Sequence, residues 1–89
     1  MRESDIEKHL VQRVHELGGE IRKVTWPGRR GAPDRFVMLK TGCFWVELKA
    51  PGKVAEPHQE REHARLRKMG QRVYVIDSLQ GVDEVLNNA

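Results

Sequence analysis

The stretch from Asp34 to Lys49 constrains the fold most. Arg35-Phe36-Val37-Met38-Leu39 and Cys43-Phe44-Trp45-Val46-Glu47-Leu48-Lys49 are two β-prone runs separated by Lys40-Thr41-Gly42, the pattern of a hairpin. Successive side chains of a strand point to opposite faces, and here both faces are apolar over most of their length. Such a hairpin cannot leave one side open to water, so it calls for cover on both faces and therefore for flanking helices.

The rest of the chain supplies them. Ile6, Leu10, Val14 and Leu17 recur at helical spacing between Ser4 and Leu17, with Ser4 or Asp5 expected as N-cap and Gly18-Gly19 as the stop. Glu20–Thr25 is a weak strand expected near a sheet edge, and Trp26–Pro33 is a Gly/Pro loop carrying Arg29 and Arg30. After a second loop, Pro57 suits the first position of a helix, and His58–Met69 is that helix, highly charged. Arg72–Asp77 is an apolar strand expected in the centre of the sheet, and Val82–Leu86 suggests a last short helix. The order α-β-β-β-α-β-α, with a helix crossing between the third and fourth strands, implies a parallel right-handed connection and hence a mixed sheet. The expected architecture is one α/β domain spanning residues 1–89.

At 89 residues the chain has room for one domain with a thin core, burying about 60–65% of its unfolded surface, so dimerisation would help it. No apolar run approaches the ~20 residues of a membrane span, and the charged start Met1-Arg2-Glu3-Ser4-Asp5 shows no signal-peptide pattern. The lone Cys43 has no internal disulfide partner, which points to a reducing cytoplasm. Sixteen Lys and Arg against 13 Asp and Glu leave a formal charge of +3, and ten of those cations are arginine. That balance permits a nucleic-acid partner without demanding one.

Glu47 is the anomaly. A carboxylate inside an apolar strand needs a partner, because an unpaired buried charge is expensive. Alternation puts Lys49 on its face. A two-residue turn at Thr41-Gly42 would set Lys40 opposite Cys43 and Asp34 opposite Lys49, gathering Asp34, Glu47 and Lys49 on one face. A four-residue loop gives the same result, whereas a three-residue loop would send Asp34 to the other side. Two carboxylates and a lysine on one face suit phosphodiester hydrolysis: hard oxygen ligands for Mg²⁺, which lowers the pKa of a water and stabilises phosphoryl charge, with the lysine steadying that water. The alternative is a structural Glu47–Lys49 ion pair with Asp34 a turn residue.

Gly31-Ala32-Pro33-Asp34 followed by Glu47-Leu48-Lys49 in this element order resembles the PD-(D/E)XK nuclease superfamily, with its restriction-endonuclease-like core of a mixed four-stranded sheet flanked by helices. More narrowly, Arg30–Asp34, Val46–Lys49 and Gln59 followed by Leu66 and Gly70 resemble the VRR-NUC (virus-type replication-repair nuclease) domain over nearly the whole chain. The resemblance implies a structure-selective, Mg²⁺- or Mn²⁺-dependent endodeoxyribonuclease; small stand-alone members are similar to homodimeric resolvases of four-way (Holliday) junctions. It also implies that Asp34, Glu47 and the Leu48 carbonyl hold the metal with Glu7 of the first helix, and that Lys49 and Gln59 support catalysis.

The remaining candidates are cationic. Arg29 and Arg30 precede Asp34 and could grip the DNA backbone; Lys53 follows the Glu-Leu-Lys strand; Arg61, Arg65 and Lys68 form a stripe at i, i+4 and i+7 on the charged helix. A charged helix face is as readily a solvated surface. Trp26 could stack on an exposed base or pack inside the domain. A zinc site is not expected, because Cys43 is alone and His58 and His63 are five residues apart rather than four. Three readings stay open beside junction cleavage: a nuclease of flap, end or sequence specificity, a non-catalytic DNA-binding module, and a protein-interaction domain.

Overall fold

A computed structural model describes residues 1–89. The elements are α1 (Glu3–Glu16), β1 (Glu20–Lys23), β2 (Arg35–Leu39), β3 (Gly42–Leu48), α2 (Pro57–Lys68), β4 (Val73–Ile76) and α3 (Leu79–Asn87). They form one four-stranded sheet in the order β1-β2-β3-β4, antiparallel through β3 and parallel between β3 and β4. The sheet is therefore mixed, as the crossover helix predicts, and β1 lies at an edge as expected.

β4, however, is the opposite edge and not a central strand. Val73 and Ile76 are buried while Val75 is exposed. Its apolar character reports cover on its faces, which is a separate matter from having a strand on each side.

The hairpin turn also differs from expectation. Leu39 pairs with Gly42, so the two turn residues are Lys40 and Thr41. Gly42 opens β3 at φ +144°, where a Cβ would come within 2.8 Å of the Arg72 guanidinium. The register thus runs Arg35 to Val46, and one further step along the strands sets Asp34 beside Glu47 rather than Lys49. The slip is two residues, and an even slip preserves faces. Asp34, Glu47 and Lys49 still share a side.

One face carries the core. Val37, Phe44, Val46, Leu48 and Ile76 of the sheet meet Ile6, Leu10 and Val14 of α1 and Val82 and Leu86 of α3. Asp83 of α3 accepts from His9 Nε2 at 2.8 Å and pairs with Arg13, tying the two helices together at their rim. The other face is covered by α2 only toward β4. Beyond α2 it keeps Phe36, Met38 and Trp45 half-buried, less cover than the apolar pattern calls for.

Helix ends shift modestly. α1 starts one residue before Ser4 with Arg2 as its cap, and Asp5 serves at the third helical position, accepting from the Arg2 backbone N–H at 2.8 Å. Neither Ser4 nor Asp5 is the N-cap, because the carboxylate reaches back to an orphan donor instead of leading the helix. α3 is longer than expected because Ser78 caps it, its Oγ accepting from Gly81 N at 2.9 Å. No helix is long and apolar enough to cross a membrane.

Candidate active site

The site sits where β2 begins and β3 ends, on the α2 side of the sheet. Asp34 is held by the strand it faces: its Oδ2 accepts from the Leu48 N–H at 2.8 Å. An extended residue points its N–H and C=O to the same side, so the Leu48 carbonyl also lies toward Asp34. Lys49 N–H instead goes to Ile76 O of β4 at 2.9 Å.

Glu47 is only 2% exposed. Its Oε2 accepts from Gln59 Nε2 at 3.1 Å and lies 3.6 Å from Lys49 Nζ. Gln59 is aimed by its other end, where Oε1 accepts from the Glu56 N–H at 2.8 Å and closes the start of α2. The remaining oxygen, Glu47 Oε1, is buried without a hydrogen-bond partner. Facing it at 4.0 Å is His63 Nε2, equally buried and equally unpartnered. Burial, reinforced by the Asp34 carboxylate, pushes the Glu47 carboxyl up to about 7 against the partial relief given by Lys49. Burial also lowers the His63 pKa, helped by the positive charges of Arg67 and Lys49, so this imidazole is neutral near pH 7.

These features test whether a divalent cation fits. Two carboxylates and a carbonyl form a hard oxygen set. One carboxylate oxygen has no partner, and its group is short of positive charge. The residues fit.

The structure brings Asp34, Glu47, Leu48, Lys49 and Gln59 together. Glu7 is placed elsewhere: it pairs with Arg35, on the side of the sheet that α1 covers. Arg29, Arg30, Arg61 and Arg65 gather beside His58 at one flank of α2. Lys53 lies in a different cleft, with Asp77 and Arg67. Trp26 packs edge-to-face on Trp45, with ring centroids 5.7 Å apart.

The sequence weighs His63 only as a zinc ligand and places Glu62 on a charged, surface-pairing helix face, yet these are the two buried side chains of α2. Buried Glu and His look like surface residues in a charged run. The only available signal was that α2 has no continuous apolar stripe and must be docked by something else.

No family model matches the chain. It is 53% identical over 79 residues to "Putative nuclease p44" of Acyrthosiphon pisum secondary endosymbiont phage 1, covering 88% of this chain and 85% of that protein. A solved structure described as a VRR_NUC domain superposes with a TM-score of 0.88 at 40% identity, covering 96% of this chain and 94% of that one. With this likeness spanning both proteins almost end to end, the chain belongs to the VRR-NUC family of nucleases.

Proposed function

We propose that the protein is a divalent-metal-dependent, structure-selective endodeoxyribonuclease that acts on branched DNA, most specifically the four-way junction, as a homodimer. The observation that carries this reading is the convergence of Asp34, Glu47 and Lys49 at one end of the sheet, with a buried Glu47 oxygen left without a partner.

Asp34, Glu47 and the Leu48 carbonyl would hold Mg²⁺ or Mn²⁺. When bound, such a cation supplies positive charge against the phosphoryl oxygens and makes the attacking water more acidic. Gln59 keeps the Glu47 carboxylate turned so that Oε1 stays available. The Leu48 N–H fixes Asp34 in the same way. Lys49, an ammonium next to Glu47, donates to the attacking water and offsets charge growing on the phosphate. Water adds to phosphorus, one P–O ester bond breaks, and the strand ends become a phosphate monoester and a hydroxyl. In this reading Glu7 holds Arg35 and stays outside the metal shell. One site cuts one strand, so symmetrical cutting of a junction needs two copies of the chain.

The test is digestion of labelled four-way junctions, flaps and linear duplex with Mg²⁺ or Mn²⁺, using wild type, Asp34→Ala, Glu47→Ala and Lys49→Ala. Expected are junction cleavage by wild type and a loss of about a thousandfold or more in the carboxylate variants, the size of several kcal/mol of lost transition-state stabilisation. Normal cutting by both carboxylate variants overturns the site. Binding without any metal-dependent product reduces the protein to a DNA-binding module. Sedimentation that finds only monomer, free and on junction DNA, removes the dimer.

A further inference from the structure

Glu62 has no part in the chemistry above, yet its side chain is only 4% exposed. It lies beneath the loop before Asp34: a Cβ built on Gly31, which has φ +92°, would come within 3.0 Å of Glu62 Cβ and 2.8 Å of His58 O. From there Glu62 Oε1 accepts from Arg29 at 3.3 Å and from Arg65 at 2.9 Å, one guanidinium from the loop and one from α2. A buried carboxylate that joins two arginines across two elements fixes where both forks point.

Those arginines border a cleft of about 310 Å³ with no apolar lining residue, completed by Arg30, His58 and Arg61. Arg30 and Arg61 have no carboxylate within 4.0 Å, whereas Arg29 and Arg65 share one. Four guanidiniums against one carboxylate make a concave, strongly positive surface of fork-shaped donors, the chemistry that recognises a phosphate group. Arg30 is four residues from Asp34. At full extension that is about 14 Å, or about four base steps of duplex rise, so a phosphate seated here is close to the bond being cut.

We infer that this cleft is a receptor for one phosphate group of the DNA, and that Glu62 is the positioning residue that holds Arg29 and Arg65 in place to grip it. The inference rests on the DNA reading above and goes further, since it replaces a diffuse cationic surface with a built subsite. The phosphate is either an internal phosphodiester or a strand end.

The sign of one substitution separates the two pictures. On a diffuse surface, Glu62→Gln deletes a negative charge and tightens DNA binding. In a built receptor it releases both arginines and weakens binding. The experiment measures full-chain binding to four-way junctions and duplexes by fluorescence anisotropy in EDTA across a salt series, with 5′-phosphate and 5′-hydroxyl ends. It compares wild type, Arg30→Ala/Arg61→Ala and Glu62→Gln, and checks folding by thermal melting.

The double variant is expected to lose about tenfold in affinity and to flatten the salt slope by about one unit or more. Glu62→Gln is expected to bind about threefold to tenfold more weakly. A wild-type preference for 5′-phosphate ends that the double variant lacks identifies a terminal phosphate; equal binding identifies a phosphodiester. Wild-type affinity and slope in the double variant overturn the inference, as does tighter binding by folded Glu62→Gln. Should Glu62→Gln fail to fold, the exposed Arg30 and Arg61 decide the matter alone. Parallel digestion in Mg²⁺ keeps the two readings apart. Cutting by wild type with an unaffected double variant overturns only the cleft, and cleft-dependent binding without cutting overturns only the nuclease.

Discussion

Helices α1 and α3 meet the sheet through Ile6, Leu10, Val14, Val82 and Leu86, all 5% exposed or less, whereas α2 brings Glu62 and His63 as its fully buried side chains to the opposite face. The first contact is non-directional and tolerant of small shifts. The second is held by named bonds: Gln59 to Glu47, Glu62 to Arg29, and Arg67 Nη2 to Val73 O at 2.7 Å. Stability and the proposed chemistry are therefore divided between the two sides of one sheet. The apolar side can hold the strands while the polar side tolerates an unsatisfied carboxylate oxygen, a state that costs about 1–3 kcal/mol in itself.

The division can be broken from the apolar side first. Leu10→Ala empties part of the core and should cost about 2–5 kcal/mol in urea unfolding, a loss that threatens a domain this small. A loss under 1 kcal/mol would mean that the α1–α3 layer is not what holds the sheet.

On the polar side the sign reverses. Glu47→Gln should raise the melting temperature of the metal-free protein at pH 8 by roughly 4–8 °C, the shift that about 1 kcal/mol makes in a domain of this size, while removing the proposed activity. The cause sets the pH profile. Because the Glu47 carboxyl sits at about 7 in the fold against an ordinary 4.5, the stability it contributes is full below pH 4.5 and is lost as pH rises through about 7. The metal-free wild type should therefore weaken relative to Glu47→Gln over that window. Parallel melting curves from pH 5 to 8 would show that Glu47 is not strained. Saturating Mg²⁺ or Mn²⁺ at pH 8 should return much of the difference.

The smallest expected effect sharpens the comparison most. Gln59→Ala removes a helix-start bond and a carboxylate bond together and should cost about 1 kcal/mol in unfolding. It should also lower metal affinity in calorimetry, since Glu47 loses its orienting donor. An unchanged metal affinity would confine Gln59 to closing the start of the helix.

What the sequence disclosed follows the same division. Apolar periodicity located α1, the hairpin and β4, because the burial that stabilises them is written as hydrophobic spacing. The expected turn at Thr41-Gly42 sets the register two residues out, yet Asp34, Glu47 and Lys49 stay grouped because strand faces depend only on parity. Placing β4 centrally failed because apolar faces carry no information about strand neighbours. Glu7 is expected in the site from its position on α1 and from family likeness, and spacing along a helix carries no sign of its pairing with Arg35. Glu62 and His63 were illegible for a deeper reason: a charged helix that docks by polar contacts has the same composition as one that faces water.

Gly31 joins these threads. Its missing side chain lets the loop lie against α2 at a separation that even a methyl group would forbid, and the residues on either side of it in the chain are Arg30 and, three positions on, Asp34. A wedge the size of one carbon at this point would displace the proposed phosphate cleft and Asp34 in the same motion, so in the proposed enzyme affinity and turnover would be coupled through this loop.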